Sequence, residues 1–111
     1  MEPDLPLAPA AFFILFALGT GDKHGYAIMQ EARELSDNTV QIGPATLYTT
    51  IQRLLDADRI REVPRPEDGD SRRRYYRLTA AGKALLKSEL ARMEAMVKKS
   101  KALRLRLGES S

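Results

Sequence analysis

The sequence has no cysteine, no tryptophan and a single histidine, His24. Without cysteine the chain cannot form disulfide bonds, thiolate nucleophiles or cysteine-ligated zinc sites. One histidine is too few for a conventional histidine-rich metal site. The sequence also offers no nucleophile–base pair, no phosphate-binding glycine loop and no carboxylate cluster at metal-ligand spacing. We therefore expect neither an enzyme nor a protein that holds a metal or another cofactor.

A long hydrophobic run is also missing. The most apolar stretch, residues 10–18, is about half the length that a membrane-spanning helix needs. Acidic residues (Glu2 and Asp4) and prolines precede it, whereas a secretion signal begins with basic residues. We interpret this stretch as a buried helix of a cytoplasmic protein.

The size and charge of the chain limit its class. Its 111 residues suit one ordinary domain, and a hydrophobic content of 43% is enough for one packed core. The formal net charge is +3 and the isoelectric point is about 9.4. This balance favours an anionic partner, but it does not choose between nucleic acid, an anionic membrane surface and an acidic protein.

Helical periodicity and helix-ending residues predict two helices in the first third of the chain. The first helix begins around residues 8–10 and ends near Gly19, and its apolar side chains must be covered on most sides. The second helix runs from about residue 24 to 35, and residues 40–42 are expected to form a very short strand. The side chains expected on the inner side of the second helix are Tyr26, Ile28, Met29, Ala32 and Leu35.

A third helix, beginning at Gly43-Pro44, has the clearest periodicity in the chain. Its apolar stripe consists of Leu47, Ile51, Leu54 and Leu55. The opposite face centres on Thr49 and carries small or hydrogen-bonding side chains and one cation, which suits contacts to base edges in a DNA major groove. The alternative is an ordinary solvated helix face. The residues of this face are Ala45, Thr46, Thr49, Gln52 and Arg53, with Tyr48 and Thr50 beside them.

A β-hairpin, which we call the wing, is predicted at residues 60–78. Strands at 60–63 and 73–78 flank a turn rich in proline, aspartate and glycine. Strand alternation is expected to bury Tyr75 and to turn Arg72, Arg74 and Tyr76 outwards, where arginines can contact phosphates or enter a minor groove. The alternative is a solvated turn in which Glu67, Asp68 and Asp70 pair with the arginines. The candidate DNA-binding residues of helix and wing are Pro44, Ala45, Thr46, Tyr48, Thr49, Gln52, Arg53, Arg72, Arg73 and Arg74.

The last helix is expected from Ala80 towards Leu105, with Thr79 as its N-cap. A helix of this length extends beyond what a small body can cover, so its apolar seam predicts a second copy of the chain across a twofold axis. The alternative, packing on the first helix, is expected for Leu85 and Leu86. The residues of the seam, with 4-3-4 spacing, are Leu86, Leu90, Met93 and Val97.

Two further sites are open to two interpretations. A hydrophobic effector pocket is a candidate where aromatic and thioether side chains concentrate, although the same residues suit an ordinary core. His24, before the second helix, fits a packed or capping histidine better than a ligand or catalyst. The candidate pocket residues are Phe12, Phe16, Met93 and Met96.

The order helix, helix, helix, hairpin, helix predicts a mainly α protein with a small β-hairpin (α+β). Its architecture is expected to be a winged helix-turn-helix followed by a long C-terminal dimerisation helix. The expected divisions are a DNA-binding domain at 1–79, the dimerisation helix at 80–107 and a disordered tail at 108–111.

Three segments of the chain resemble the PadR family of transcriptional repressors: His24–Tyr26, Gly43–Tyr48 and Arg73–Gly82. The resemblance implies a homodimer that binds a pseudo-palindromic operator, represses nearby genes and is released by a small molecule. It also implies that Tyr48 lies at the DNA interface, and it fits the short subgroup with a single C-terminal helix. Members that sandwich flat aromatic drugs do so between tryptophans, and this sequence has none.

Two functions of different classes therefore follow from the sequence. The first is a sequence-specific DNA-binding regulator that acts as a dimer and as a ligand-responsive repressor. Its expected partners are double-stranded operator DNA, a second copy of the chain and a small hydrophobic or aromatic effector. No membrane is expected among them. The alternative is a winged-helix module for protein–protein assembly that does not bind DNA, in which the basic wing contacts an acidic partner.

Overall fold

The computed structural model describes residues 7–67 and 72–109. In these residues four helices and the two hairpin strands follow one another in the expected order, which confirms the α+β class and the winged helix-turn-helix architecture. The elements are α1 (Pro9–Gly19), β1 (Lys23–His24), α2 (Gly25–Leu35), α3 (Pro44–Asp56), β2 (Ile60–Val63), β3 (Tyr75–Leu78) and α4 (Ala80–Arg106).

The core is built around α1, which contacts α2, α3, α4 and β3. Ile14, Leu15 and Ala17 are fully buried, because neighbours cover this apolar helix on most sides as the sequence predicted. Within α3 the stripe Leu47, Ile51 and Leu54 is buried against the same core.

The antiparallel sheet has the strand order β1-β3-β2. The sequence predicted the two hairpin strands but not β1. Lys23 and His24 form β1, which pairs with Tyr76 and Tyr75 at the outer edge of the wing. The strand predicted at residues 40–42 is wrong, because that segment is irregular. At its start the Ser36 hydroxyl accepts from the Val40 N–H at 3.0 Å and donates to the Val40 carbonyl at 3.3 Å, in place of a partner strand.

The inner face of α2 is narrower than predicted. Ile28 and Ala32 are buried, but Tyr26 is 55% exposed and Leu35 is 38% exposed, so their predicted inward orientation is wrong. Tyr26 lies two residues from Ile28, which at about 100° per residue places it on the opposite side of the helix. Leu35 is the last residue of the helix, beyond the part that the core covers.

The wing alternates with the opposite parity to the prediction. Tyr76 is buried and Tyr75 is only partly buried, and β3 begins at Tyr75 rather than at Arg73. Leu78 decides this parity, because it pairs with the buried Ile60 and must face the core. Side chains two residues apart in a strand share a face, so Tyr76 follows Leu78 inwards. The predicted pairing of Asp68 and Asp70 falls outside the described residues.

Helix α4 begins at the expected cap, where the Thr79 hydroxyl accepts a hydrogen bond from the Gly82 N–H at 3.0 Å. Its 27 residues extend over about 40 Å. Buried residues occur only in its first half, ending at Glu89. At the far end Leu107 and Gly108 form a turn, after which the Glu109 N–H donates to the Arg104 carbonyl. Residues 110–111 lie outside the described residues. Within residues 7–67 and 72–109, no helix has the length and apolarity to cross a membrane.

Candidate nucleic-acid interface

The outer face of α3 is exposed over its whole length. With Leu47, Ile51 and Leu54 turned into the core, the other side of the helix faces solvent, as its periodicity predicted. Gly43 is the N-cap and supplies no side-chain hydrogen bond, so the N–H groups of the first turn receive no side-chain cap. Such an end favours a phosphate oxygen. The exposed residues of this face are Pro44, Ala45, Thr46, Tyr48, Thr49, Gln52 and Arg53.

Part of this face is concave and part already has partners. Ala45, Thr46, Thr49, Thr50 and Arg53 surround a shallow depression of about 300 Å³. Gln52, in contrast, donates from Nε2 to the Asp56 carboxylate at 2.9 Å. The threonine hydroxyls and Arg53 are therefore the side chains of this face best placed for a groove.

Tyr48 connects α3 to the start of α2. Its side chain is 54% exposed and lies across Gly25. A Cβ atom at Gly25 would lie 2.9 Å from the Tyr48 hydroxyl oxygen and 3.2 Å from Leu47 Cδ2. A glycine at this position therefore lets the two helices of the helix-turn-helix approach closely and lets the tyrosine ring lie between them.

The wing arginines differ in how firmly they are held and in how far they are exposed. Arg77 holds Asp22 with two hydrogen bonds, of 2.9 and 2.7 Å, and these bonds lower the pKa of the Asp22 carboxyl below its usual value. Arg74 reaches Glu62 across the hairpin at 3.4 Å, with most of its side chain in solvent. Arg72 and Arg73 are also exposed, beside the N-terminus of α2.

His24 is the N-cap of α2, which is the capping role that the sequence predicted for it. Its Nδ1 accepts from the Ala27 N–H at 3.2 Å, and its Nε2 lies 2.7 Å from Arg73 Nη1. The ring also meets Tyr75 edge-on at 5.3 Å. Burial, and secondly the charge of Arg73, lowers the pKa of His24 below its usual 6.5. The sequence analysis named neither His24 nor Tyr26 as a DNA-binding candidate, although His24–Tyr26 is one of the three segments that resemble the PadR family.

Glu89 is a buried carboxylate that the sequence analysis did not anticipate. Its side chain is fully buried and accepts from the Leu7 N–H at 2.8 Å and from Arg92 Nε at 2.7 Å. The hydrogen bonds from Arg92 are the main reason that its pKa lies below the usual value. Glu89 thereby ties the segment that enters α1 to the middle of α4. Its spacing of four and three residues from the buried Leu85 and Leu86 is the signal in the sequence, and the other glutamate of α4, Glu94, is exposed.

The predicted seam of α4 divides at the edge of the body. Leu86 is 9% exposed and belongs to the core of the single chain, as the alternative of packing on α1 expected. Met93 packs partly against that core, whereas Leu90 is 39% exposed and Val97 59% exposed. The distal half of α4 thus carries apolar side chains that this chain does not cover.

The candidate effector residues are not equivalent in the single chain. Phe12 is buried and meets Phe16, which is half-buried, edge-on at 5.7 Å. Met96, at 56% exposure, lies on the distal part of α4 beyond the partly buried Met93. Phe12 thus serves the core, and any pocket that includes Met96 needs walls from outside this core.

Comparisons with known proteins agree with this geometry. The model of the transcriptional regulator PadR-like family matches residues 14–88. An uncharacterised protein of Lysinibacillus sphaericus is 42% identical over 77 residues, which are 69% of this chain and 70% of that protein. The structure of a transcriptional regulator from Clostridium thermocellum is similar with a TM-score of 0.66 and 30% identity, covering 83% of this chain and 89% of that one. BpsR of Bordetella bronchiseptica, whose DNA binding is regulated by 6-hydroxynicotinic acid, is similar with a TM-score of 0.66 and 24% identity, covering 87% and 67%.

Proposed function

The chain belongs to the PadR-like family of transcriptional regulators, and on that premise we propose that it is a homodimeric repressor that binds a pseudo-palindromic operator through α3 and the wing. The observation that carries the proposal is the outer face of α3, where small and hydrogen-bonding side chains stay in solvent while the inner stripe is buried. A helix of this kind fits the major groove of B-DNA, where donor and acceptor patterns identify each base pair.

The proposed docking assigns different roles to helix and wing. Thr46 and Thr49 lie within the concave part of the outer face of α3, where they can meet base edges. The wing arginines have a charge and reach suited to phosphates or to a minor groove, which contribute affinity with little dependence on sequence. Since β2 of the wing contacts α3, both can act on one half-site.

The proposed dimer uses the distal half of α4. Leu90, Val97 and Met96 expose apolar surface there, at 39, 59 and 56% of their accessible area. Burying such a row against its twofold copy removes that surface from water and produces two reading helices for a palindromic site. Glu89 accepts hydrogen bonds from the Leu7 N–H and from Arg92, and these bonds would then hold the DNA-binding part at a defined angle to the dimer axis.

A small effector is proposed to act near this dimer axis. The candidate side chains are Phe16, Met93 and Met96, which are partly or largely exposed in the single chain and acquire further walls only from a second copy. The control of BpsR by a small heteroaromatic acid supports this kind of regulation on a similar fold.

The test of the proposed function is a DNA-binding titration on the sequence upstream of the chain's own gene. We expect a complex that is selective against a scrambled duplex and weakens steeply with salt. Equal weak binding to both duplexes, together with salt-sensitive binding to an acidic protein, would instead favour the assembly module.

A further inference from the structure

The wing and the N-terminus of α2 enclose a cleft of about 280 Å³. Every charged side chain that lines it is an arginine, and no carboxylate is among the lining residues of the described chain. Glu62 approaches only its edge, where it reaches Arg74 at 3.4 Å. The cleft is therefore concave, polar and positive. It is lined by His24, Gly25, Tyr26, Tyr48, Arg72, Arg73, Arg74 and Tyr76.

With the proton on Nε2, His24 and Arg73 both offer hydrogen-bond donors to this cleft. A neutral imidazole has one nitrogen that donates and one that accepts. We assign the proton to Nε2, because the N-cap hydrogen bond from the Ala27 N–H at 3.2 Å requires Nδ1 to accept. Nε2 then lies 2.7 Å from Arg73 Nη1, which is another donor. If Nε2 accepted instead, the Ala27 N–H would lose its cap. An anion that accepts from both Nε2–H and the guanidinium removes this conflict.

We infer that the cleft is an oxyanion site that takes one backbone phosphate of the bound DNA, with Arg73 and the Nε2–H of His24 as donors. Gly25 and Tyr26 lie in the first turn of α2, so the positive end of that helix dipole adds to the attraction. The inference rests on the proposed function, because it assumes a duplex at the outer face of α3.

Tyr48 provides the connection between the two surfaces. It belongs to α3 and lines the cleft at the same time. A strand backbone that borders the major groove occupied by α3 therefore passes this tyrosine and reaches the cleft. The phosphate there would fix the register of α3, as contacts to phosphate do in other complexes.

The site couples DNA binding to a proton. In the free protein, burial and the charge of Arg73 hold the pKa of His24 below 6.5. Within the described residues, the other charged or titratable groups around the ring and the cleft are Arg72 and Arg74, four tyrosines, and Glu62, which pairs with Arg74. The tyrosines are Tyr26, Tyr48, Tyr75 and Tyr76. A phosphate within hydrogen-bonding distance offsets the arginine charges, so the pKa of His24 rises on binding. Protonation of Nδ1 breaks the N-cap hydrogen bond from the Ala27 N–H in the free and in the bound protein alike, so this cost cancels from the difference between the two pKa values.

Affinity should therefore increase as the pH falls. Above the pKa of the bound state His24 is neutral in both states and pH has no effect through it. Between the bound and the free pKa, binding takes up a proton, and each unit of difference corresponds to about a tenfold gain per protomer.

The experiment uses the fact that His24 is the only histidine. Its imidazole signals in NMR spectra report the tautomer and the pKa without assignment ambiguity, in the free protein, with inorganic phosphate and with the upstream duplex. We expect the Nε2–H tautomer in the free protein and a pKa higher by about one unit with the duplex. The His24→Asn variant retains an N-capping side chain but does not titrate. It should bind the duplex with a flat pH profile between about pH 5.5 and 7.5.

The arms of the experiment separate the possible failures. A bound duplex that leaves the pKa of His24 unchanged, or an equal pH slope in His24→Asn, overturns the oxyanion site while the proposed function stands. If no duplex binds, the proposed function fails, and a rise in pKa with inorganic phosphate that disappears in Arg73→Gln then overturns only the assignment to DNA. No response to either phosphate source overturns the site altogether.

Discussion

Replacing Gly82 by alanine tests why the resemblance to the PadR family includes a glycine at this position. Gly82 lies in the first turn of α4 and is buried against the residue that precedes β2. A Cβ atom there would lie 1.9 Å from the carbonyl oxygen of Arg59, although such contacts are essentially never shorter than 3.0 Å. The two segments must therefore separate by about 1.1 Å, the difference between these two distances.

The Arg59 carbonyl cannot easily move away, because it accepts a hydrogen bond from the Thr79 N–H at 3.1 Å. Forced overpacking costs about 1–3 kcal/mol, and a contact with backbone belongs at the upper end. Alanine in a helix recovers about 1 kcal/mol relative to glycine. We therefore expect Gly82→Ala to lower the free energy of unfolding by about 2 kcal/mol, which lowers the melting temperature by roughly 8–16 °C.

The assay is thermal unfolding followed by circular dichroism, with all variants at the same protomer concentration. The matched control is Gly19→Ala, at the end of α1, where the added Cβ would lie 3.2 Å from Leu86 Cδ2, the flexible end of a side chain. The helix-propensity gain should offset that contact and leave stability nearly unchanged. A Gly82→Ala protein as stable as the Gly19→Ala control would refute the close approach of α4 to Arg59.

Three further substitutions address the interface, the dimer and the buried glutamate. Thr49→Ala should weaken operator binding by about 1–3 kcal/mol and leave scrambled DNA nearly unaffected, whereas Arg72→Ala should weaken both alike and flatten the salt dependence, as fluorescence titrations at several salt concentrations would reveal. Val97→Asp, at a position 59% exposed in the single chain, should produce a folded monomer in sedimentation because two like charges would meet near the twofold axis. The control Lys98→Asp, at the neighbouring position, should remain a dimer. If Val97→Asp also remains a dimer, the interface lies elsewhere. Glu89→Gln should lower stability in urea by about 1–3 kcal/mol at neutral pH. Since the folded pKa of Glu89 is depressed below 4.5, its contribution is present above that value and lost as the pH falls through the folded pKa, so parent and variant should converge in acid.

The sequence anticipated the elements whose signals are local. The apolar stripe of α3 repeats with the period of a helix, so the helix was predictable from its own residues. The start of α4 was predictable because Thr79 is a hydroxyl residue just before a helical run. The exposed face of α3 follows from the same periodicity, because burying one side of a helix leaves the other in solvent.

Long-range contacts decided the features that were mistaken or missed. Alternation places Tyr76 on the same face as Leu78, but that this face is the buried one depends on Ile60, the partner of Leu78 across the hairpin. β1 forms because the two residues before α2 pair with β3, which lies some fifty residues later in the chain. Two residues carry no strand signal of their own.

The candidate site divides in the same way. The helical period of α3 was enough to predict which of its side chains are exposed, whereas the inward and outward side chains of the wing strand were decided by the structure. Only the tertiary structure decided that His24 caps α2 while facing Arg73, and that Glu89 is buried between Leu7 and Arg92. The physical reason is that burial and hydrogen-bond partners depend on which distant segments pack together, and a single sequence contains no direct record of those distances.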